Sequence, residues 1–367
     1  MLDIILTILL LFLSILFKKS RTITILFFLF MWTLWGANTW NGDSEAYKWQ
    51  FDNAIWNINT GEYERGYVLL TFVLKYIGLT YQQFLGLISF IVLTSILISV
   101  MKYSKYPALF SLMYFLVFIM EFVYLRNYIV HALLLFGVIL VLEKVKYYKL
   151  WFILIVLLAT SIHSTAIIGL IFCFAFFNNE NKLINIKKVL IYVGVFVFFM
   201  AFLFDVLLSV LGSFYLNKLS YYATGGGFSN VFFAHLILVL IIYYFFDAIL
   251  KKSQTIPIKV RRWYIIIVNI NILSLFYLGL YFQVPYFARI VRFLFTLDLI
   301  FMTSALYYIG NLKLRLRSFT YTWCVFLFII IMFLKSTLSL TLYPLYKKNK
   351  IWGEEVYVPN FDYDANE

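Results

Sequence analysis

Leu150–Phe177 reads LWFILIVLLATSIHSTAIIGLIFCFAFF, a run with no Asp, Glu, Lys or Arg in it. A helix needs about 20 apolar residues to cross the hydrocarbon core of a bilayer, and this run exceeds that. In lipid every backbone polar group must be satisfied inside the segment, which leaves helices as the spanning form for such runs. The centre of the run is polar: Thr160-Ser161-Ile162-His163-Ser164-Thr165. Lys149 precedes it, and Lys182, Lys187 and Lys188 follow it. Basic residues mark the cytoplasmic side of a span, so finding them at both ends suggests a segment that returns to the side it left. The run therefore reads as a broken or re-entrant pair of half-length helices, its polar break lining a cavity.

The rest of the chain agrees with that class. Hydrophobic residues make up 64% of the 367, charged residues only 13%, and mean hydropathy is +0.91. Soluble domains sit near half apolar and a quarter charged. The fold class expected is an all-α polytopic integral membrane protein, a single membrane domain over residues 1–367. Its ten spans would be Leu2–Phe17, Thr22–Gly36, Tyr81–Met101, Pro107–Glu121, Tyr124–Leu142, Val189–Leu211, Val231–Leu250, Trp263–Phe282, Ala288–Ile309 and Phe319–Leu334. Tyr67–Gly78 is short and carries Lys75, so it reads as an amphipathic helix at the outer interface. No internal repeat, Gly/Ser linker or separate soluble domain is visible.

A net charge of +13 would point a soluble protein toward nucleic acid. Here topology accounts for it. The short connectors assigned to the inner face hold 19 of the 30 Lys and Arg residues. Both termini then lie outside, as do the loops 37–66 and 212–230 and the tail 335–367. Lys18, Lys19 and Arg21 follow the first apolar segment, and no small-residue cleavage site does, so that segment reads as an uncleaved anchor. Cys173 and Cys324 lie inside apolar runs, which implies neither disulfide nor metal framework.

Trp35–Gly66 is the longest polar interval in the first two-thirds of the chain. It carries Asp43, Glu45, Asp52, Glu62 and Glu64 against Lys48 and Arg65, with Trp35, Trp40, Trp49 and Trp56 among them. Tryptophan at that density suits the membrane interface or stacking on sugar rings. Solvated charge is the commonest fate of a loop carboxylate. Asp43 and the pair Glu62/Glu64 are nevertheless candidates to activate or orient a hydroxyl.

Three outer arginines lie close to membrane depth. Arg126 follows Tyr124-Leu125, and Arg289 and Arg292, three apart, are expected to share one helix face. Ionisable groups there are costly and are functional by default, and the guanidinium fork matches phosphate oxygens. The set fits a diphosphate; the bland alternatives are snorkelling and pairing of Arg126 with Glu121. His163 sits in the polar break and suits proton transfer to or from a reacting oxygen. Its alternative is a buried imidazole bonded to backbone that the break frees. His131 and His235, among apolar residues, read as packing groups. The histidines are too scattered for a metal site, and no glycine-rich phosphate loop or nucleotide fold appears, so no metal and no cofactor is expected.

Taken in order, Gly42-Asp43…Tyr47, Glu64-x-Gly66-Tyr67, Leu125-Arg126-Asn127, Ala159–Thr165, Ala288-Arg289-Ile290 and Tyr343-Pro344-Leu345-Tyr346 resemble the EpsG-like branch of the Wzy-type polysaccharide polymerases. The resemblance implies a glycosyltransferase of the bacterial cytoplasmic (inner) membrane, serving capsule, exopolysaccharide or O-antigen assembly. It would join an undecaprenyl diphosphate-linked glycan to another lipid-linked repeat unit at the outer face. The leaving group is then the lipid diphosphate, which needs neither nucleotide nor metal. It implies catalytic roles for His163, Asp43 and Glu64, and substrate binding by Arg126, Arg289, Arg292, Tyr47, Tyr67 and Tyr286. Partners would be the lipid-linked oligosaccharide, membrane lipids, and the chain-length regulator and flippase of the same pathway; nucleic acid is not one. A lipid-linked oligosaccharide flippase and an O-antigen ligase-like transferase share much of this logic.

The topology has a direct test. In a background lacking Cys173 and Cys324, cysteines placed at Asn59 and Asn230 should react with an impermeant maleimide in intact cells. Labelling confined to permeabilised cells would invert the assignment.

Overall fold

The computed structural model describes residues 2–60, 63–177, 180–211, 227–252, 256–284, 287, 289, 291–309, 312–334 and 338–353. Among them every regular element is helical, and the one β-bridge is the isolated pair Asn38–Asn349. The chain forms two compact units interleaved in sequence. The first comprises Met1–Ile139, Leu154–Ile167 and Phe333–Glu367, the second Leu140–Ile153 and Ile168–Met332.

The first unit opens with α1 (Leu2–Leu16) and α2 (Arg21–Gly36), the latter capped by Ser20, whose hydroxyl accepts from Ile23 N–H at 3.2 Å. Helix α6 (Tyr81–Tyr103) starts at a capping box of Thr80 and Gln83. Small residues let α2 and α6 approach: a Cβ on Gly36 would stand 3.1 Å from Gly86 Cα. Trp32 Nε1 donates to Gly86 O at 2.9 Å and Gln82 Nε2 to Gly36 O at 2.8 Å across this crossing. Helix α7 (Pro107–Val117) is buried all round, and α8 (Leu125–Leu142) comes after a short turn.

The polar interval after α2 is not an extended loop. It folds into α3 (Ser44–Asp52) and α4 (Ala54–Thr60), and then α5 (Arg65–Tyr76) lies where an amphipathic helix is expected. Tyr67, Val68 and Thr71 are its buried face, while Leu69, Val73 and Tyr76 are exposed. Lys75 donates to the Asp52 carbonyl, which gives a cation on an apolar helix a local partner.

A C-terminal segment anchors this region. Past the last span, Leu338–Lys347 is helical, and the residues after it bond back to the end of α2. Thr39 N–H donates to Lys348 O and Lys350 N–H to Ala37 O, each at 2.9 Å. Asn349, fully buried, donates through Nδ2 to Leu34 O at 2.8 Å, and Trp352 Nε1 to Thr33 Oγ1 at 2.9 Å.

Helix α9 (Tyr148–Ile162) ends at the expected break, but the segment beyond it is not a second half-length α-helix. Ser164–Phe172 is a 3₁₀-helix, continued by α10 (Cys173–Phe177). His163 N–H bonds to Ala159 O and Ala166 N–H to His163 O, each at 2.9 Å, so the interruption is a change of helix type. Long 3₁₀ runs are uncommon and frequently mark functional segments.

The second unit contains α11 (Ile186–Leu211), α12 (Asn230–Lys252), α13 (Ile258–Ser274), α14 (Tyr277–Gln283), α15 (Arg292–Tyr308) and α16 (Leu312–Leu334). Its inner polar anchor is Arg262, one of the residues that counted toward the basic topology signal. It is buried, and it donates from Nη1 to Leu142 O, from Nη2 to Val141 O and from Nε to Glu180 Oε2, all at 2.9 Å. It thus closes the carbonyl end of α8.

Four helices are long and apolar enough to span a bilayer among the described residues: Tyr81–Tyr103, Leu125–Leu142, Asn230–Lys251 and the stretch Ile258–Gln283. Shorter apolar helices cover Leu2–Leu16, Arg21–Gly36, Pro107–Val117, Tyr148–Ile162 and Ser164–Phe177. A helical membrane protein is the result; the count of ten spans is not reached by these helices. Of the expected outer loop 212–230, only residues 227–230 are described, and of the tail 335–367 only 338–353.

Replacing Arg262 by Met should destabilise the protein strongly, because a buried carboxylate loses its cation. Glu180 retains the Tyr148 hydroxyl, which donates at 2.5 Å, and Lys144 at 3.8 Å. The loss should therefore fall at the low end for a broken buried pair, about 3 kcal/mol. Thermal unfolding in detergent checks this, and Glu180→Gln added to Arg262→Met should recover part of it.

Candidate functional site

Glu64 is the residue on which three separated parts of the first unit converge. It precedes Arg65 at the N-terminus of α5, with extended backbone. Its Oε2 accepts from Arg126 Nη1 at 2.6 Å, the arginine standing in the first turn of α8. Its Oε1 lies 3.3 Å from His163 Nδ1 and accepts from Ser164 Oγ at 3.2 Å, at the junction between α9 and the 3₁₀-helix. The Ser164 N–H points at the same oxygen, 3.5 Å away. The side chains of Glu64, Arg126 and His163 are 10%, 17% and 16% exposed, so the ion pair is largely withdrawn from water yet reachable.

Gly66 allows the convergence. A Cβ there would meet the Ser161 Oγ and would come within 2.7 Å of both Ser161 Cβ and Ser161 O. Only glycine lets the start of α5 press against the end of α9, and that approach brings Glu64 to His163.

Two tyrosines form the floor under Arg126. The guanidinium lies over the Tyr47 ring at 5.9 Å and the Tyr67 ring at 5.8 Å, and the two rings meet edge to face at 6.2 Å. Both are buried, so their contact is with the arginine and not with a sugar face. Burial pushes both phenols above the usual range; for Tyr47 the Arg126 charge pulls back and the Asp43 charge adds to the rise. Arg126 Nε is buried and has no hydrogen-bond partner among the described residues.

Asp43 stands at the N-terminal end of α3, four residues before Tyr47. A run of amides ties it to the C-terminal segment. Asn38 Nδ2 donates to Pro344 O and Lys348 O, both at 3.0 Å; Asn41 Nδ2 donates to Asn38 Oδ1 at 3.1 Å; and Asp43 N–H donates to Asn41 Oδ1 at 3.0 Å. Beside Glu64, Tyr63 and Trp49 have ring centroids 6.2 Å apart, and Trp49 meets the exposed Trp56 at 5.6 Å. Trp35, by contrast, is buried against Tyr114 and Tyr128.

Several expectations are corrected. Arg126 neither snorkels nor pairs with Glu121; Glu121 is fully buried, with one oxygen 4.0 Å from His131 Nδ1. His131 and His235 are both buried, and His235 places Nε2 2.9 Å from Ser274 Oγ and Nδ1 3.1 Å from the Tyr281 hydroxyl. Arg289 and Arg292 belong to the second unit. Helix α15 begins at Arg292, which is buried, and Arg289 has 3₁₀ backbone just ahead of it. Tyr286 and Glu62 lie outside the described residues.

A profile of the EpsG family matches residues 20–347. The chain belongs to the EpsG family. That span contains the whole Glu64 group, and membership ties the chain to polysaccharide biosynthesis at a membrane. No curated protein and no solved structure matched it.

Two residues of interest escaped the sequence reading. Ser164 was visible only as part of the polar break. Asp298, fully buried in the middle of α15, accepts from Asn271 Nδ2 at 2.7 Å through Oδ1, while its Oδ2 has no partner among the described residues. Its signal was a lone carboxylate in an apolar run of the EpsG-family chain.

Gly66→Ala should lower the unfolding midpoint in detergent by the equivalent of about 1–3 kcal/mol, the usual cost of forcing extra volume into a packed site. Ser161→Gly added to it should restore part of the loss and not all, since the Ser161 carbonyl still stands in the way.

Proposed function

We propose that this EpsG-family chain is a polysaccharide polymerase that transfers a glycan from one undecaprenyl diphosphate carrier to a repeat unit on another, at the outer face of the bacterial cytoplasmic membrane. The observation that carries this reading is the bridging of Arg126 to His163 by the Glu64 carboxylate. A donor of Nδ1–H to Glu64 is the His163 tautomer whose Nε2 holds a lone pair. That nitrogen takes the proton of the acceptor hydroxyl as its oxygen attacks the donor anomeric carbon. The bond from that carbon to the diphosphate oxygen breaks, and the electron pair leaves with the carrier diphosphate.

Arg126 meets the leaving charge. Its Nη1 is committed to Glu64, and its Nε, which has no hydrogen-bond partner among the described residues, is a donor that a phosphate oxygen would engage. Protonation of His163 during transfer places a second positive charge beside the first. Trp49, Trp56 and Tyr63 form an aromatic surface next to Glu64 suited to sugar faces. Energy comes from the carrier's own glycosyl–diphosphate bond, so neither nucleotide nor metal enters the scheme. Asp43 orients the floor tyrosine and is a positioning residue in this scheme. The product serves capsule, exopolysaccharide or O-antigen.

The test is sizing of surface glycan from cells that lack the chain and carry a variant of it. Deletion should leave single repeat units. Complete loss of surface glycan would instead indicate a flippase or an early transferase, and polymer of normal length retained on the lipid carrier, absent only from its final acceptor, a ligase. His163→Gln, which keeps a hydrogen bond but not titration, should slow chain growth by about 10²–10⁴-fold at normal protein abundance. Normal chain length in that variant removes His163 from the chemistry. Arg126→Lys should also shorten chains, because an ammonium does not replace the guanidinium fork.

A further inference from the structure

We propose that the polyisoprenyl chain of the carrier lies in an apolar groove between α6 and α8 that opens one helical turn from Arg126, an inference that rests on the reading above. The groove has a volume of about 310 Å³ and lies wholly in the first unit. Ile91, Val92 and Ser95 form its α6 side, and Ile129, Leu133 and Phe136 its α8 side. The single polar group among these, Ser95 Oγ, donates to Ile91 O at 2.9 Å and so presents no unmet polarity to the groove.

Its direction carries the argument. Arg126, Ile129, Leu133 and Phe136 are spaced by three, four and three residues, which is one stripe of a helix. Along the first three turns of α8 this stripe is the open one: Tyr128, Val130, His131, Leu134 and Leu135 between its members are buried. One open face of one helix therefore runs from Arg126, whose Nε–H has no hydrogen-bond partner among the described residues, into a hydrocarbon furrow.

That is the outline of an amphiphile with an anionic head and a single apolar chain starting immediately beneath it. A phospholipid matches it less well, because its two chains branch from a glycerol that spaces them from the phosphate. The run from Ile129 to Phe136 covers about 10 Å of helix, enough for the first isoprene units, with the remainder of the chain in the bilayer. The groove would set the depth of the diphosphate relative to Glu64 and His163, a task that the arginine alone does not perform.

The experiment uses the full chain, purified into nanodiscs of phosphatidylglycerol and phosphatidylethanolamine containing undecaprenyl diphosphate. Benzoylphenylalanine replaces Phe136 in the groove or, as a control, Phe12, which is exposed on α1. After irradiation, mass spectrometry identifies the lipid attached. The expected result is a polyprenyl adduct at position 136 enriched at least tenfold over position 12 and reduced by Arg126→Lys. The same ratio of phospholipid to prenyl adduct at both positions overturns the groove. Ala132→Trp, which narrows the furrow, should abolish the adduct at 136 in protein that still purifies as a single species; persistence of the adduct also overturns it. The two proposals separate cleanly. A prenyl adduct in a chain whose deletion leaves glycan length unchanged supports the groove and removes the polymerase. A phospholipid-only adduct in a chain whose His163→Gln variant stalls polymerisation removes the groove and leaves the polymerase standing.

Discussion

A carboxylate that is nine-tenths out of water must be paired, and in the first unit that requirement falls on Glu64. Its two oxygens face different elements. One holds Arg126, 62 residues on in sequence, and the other faces His163 and Ser164, 99 and 100 residues on. Removing any one of these partners leaves charge or polarity stranded beside a hydrophobic core. The ion pair therefore constrains the start of α5, the start of α8 and the end of α9 together. Gly66 is required by the same constraint, since a side chain there would hold the first and third apart.

This arrangement separates two properties that membrane arginines usually combine. An arginine near an interface can be satisfied by water or headgroups through its long stem. Arg126 is instead held against two buried tyrosine rings and a carboxylate, with its reach fixed. A fixed guanidinium offers little to general interfacial anchoring and much to a ligand whose phosphate must arrive at one place. Preorganised donors aimed at developing charge cost no rearrangement at the moment of reaction. The Glu64 carboxylate offsets the guanidinium charge, so the pair is not a plain anion trap.

Much of this was legible in the sequence, and the limits are physical. Arg126 and His163 stood out because an ionisable group inside an apolar run has few innocent explanations. Glu64 was legible as a candidate loop carboxylate but not as the partner of Arg126 and His163, which come from positions far along the chain. Glu121, five residues from Arg126, was the nearer candidate partner, yet helix packing turns it toward His131. Tyr47 and Tyr67 were legible as site residues but not as a floor, because burial of a tyrosine depends on what lies above it. The polar break at 160–165 contains the end of α9, which falls at Ile162. That the chain continues as 3₁₀-helix was not legible, because polar side chains do not encode whether a backbone amide bonds three or four residues back. Arg262 was absorbed into a topology count that treats all cations alike, although two of its three bonds clamp the end of α8 and the third holds Glu180.

The polar interval between α2 and α6 owes its order to the far end of the chain. Its helices α3 and α4 are short, and segments of that length are marginal alone in water. Helix α3 is tied at its start by the chain of amides that begins at Pro344 and Lys348, passes through Asn38 and Asn41, and ends at the N–H of Asp43, and α4 is joined to α3 by Asn57 Nδ2, which donates to Gln50 O at 3.1 Å. One turn beyond Asp43 is Tyr47, whose ring lies beneath Arg126. Asn349 and Trp352 complete the attachment by bonding to the last turn of α2. A C-terminal segment placed after the last span thus supports the floor of a site whose charged residues all lie in the first half of the chain. The Tyr-Pro segment of that tail thus reaches the site through the Pro344 carbonyl, which accepts from Asn38 Nδ2, while the side chains of Asn349 and Trp352 hold the segment to α2.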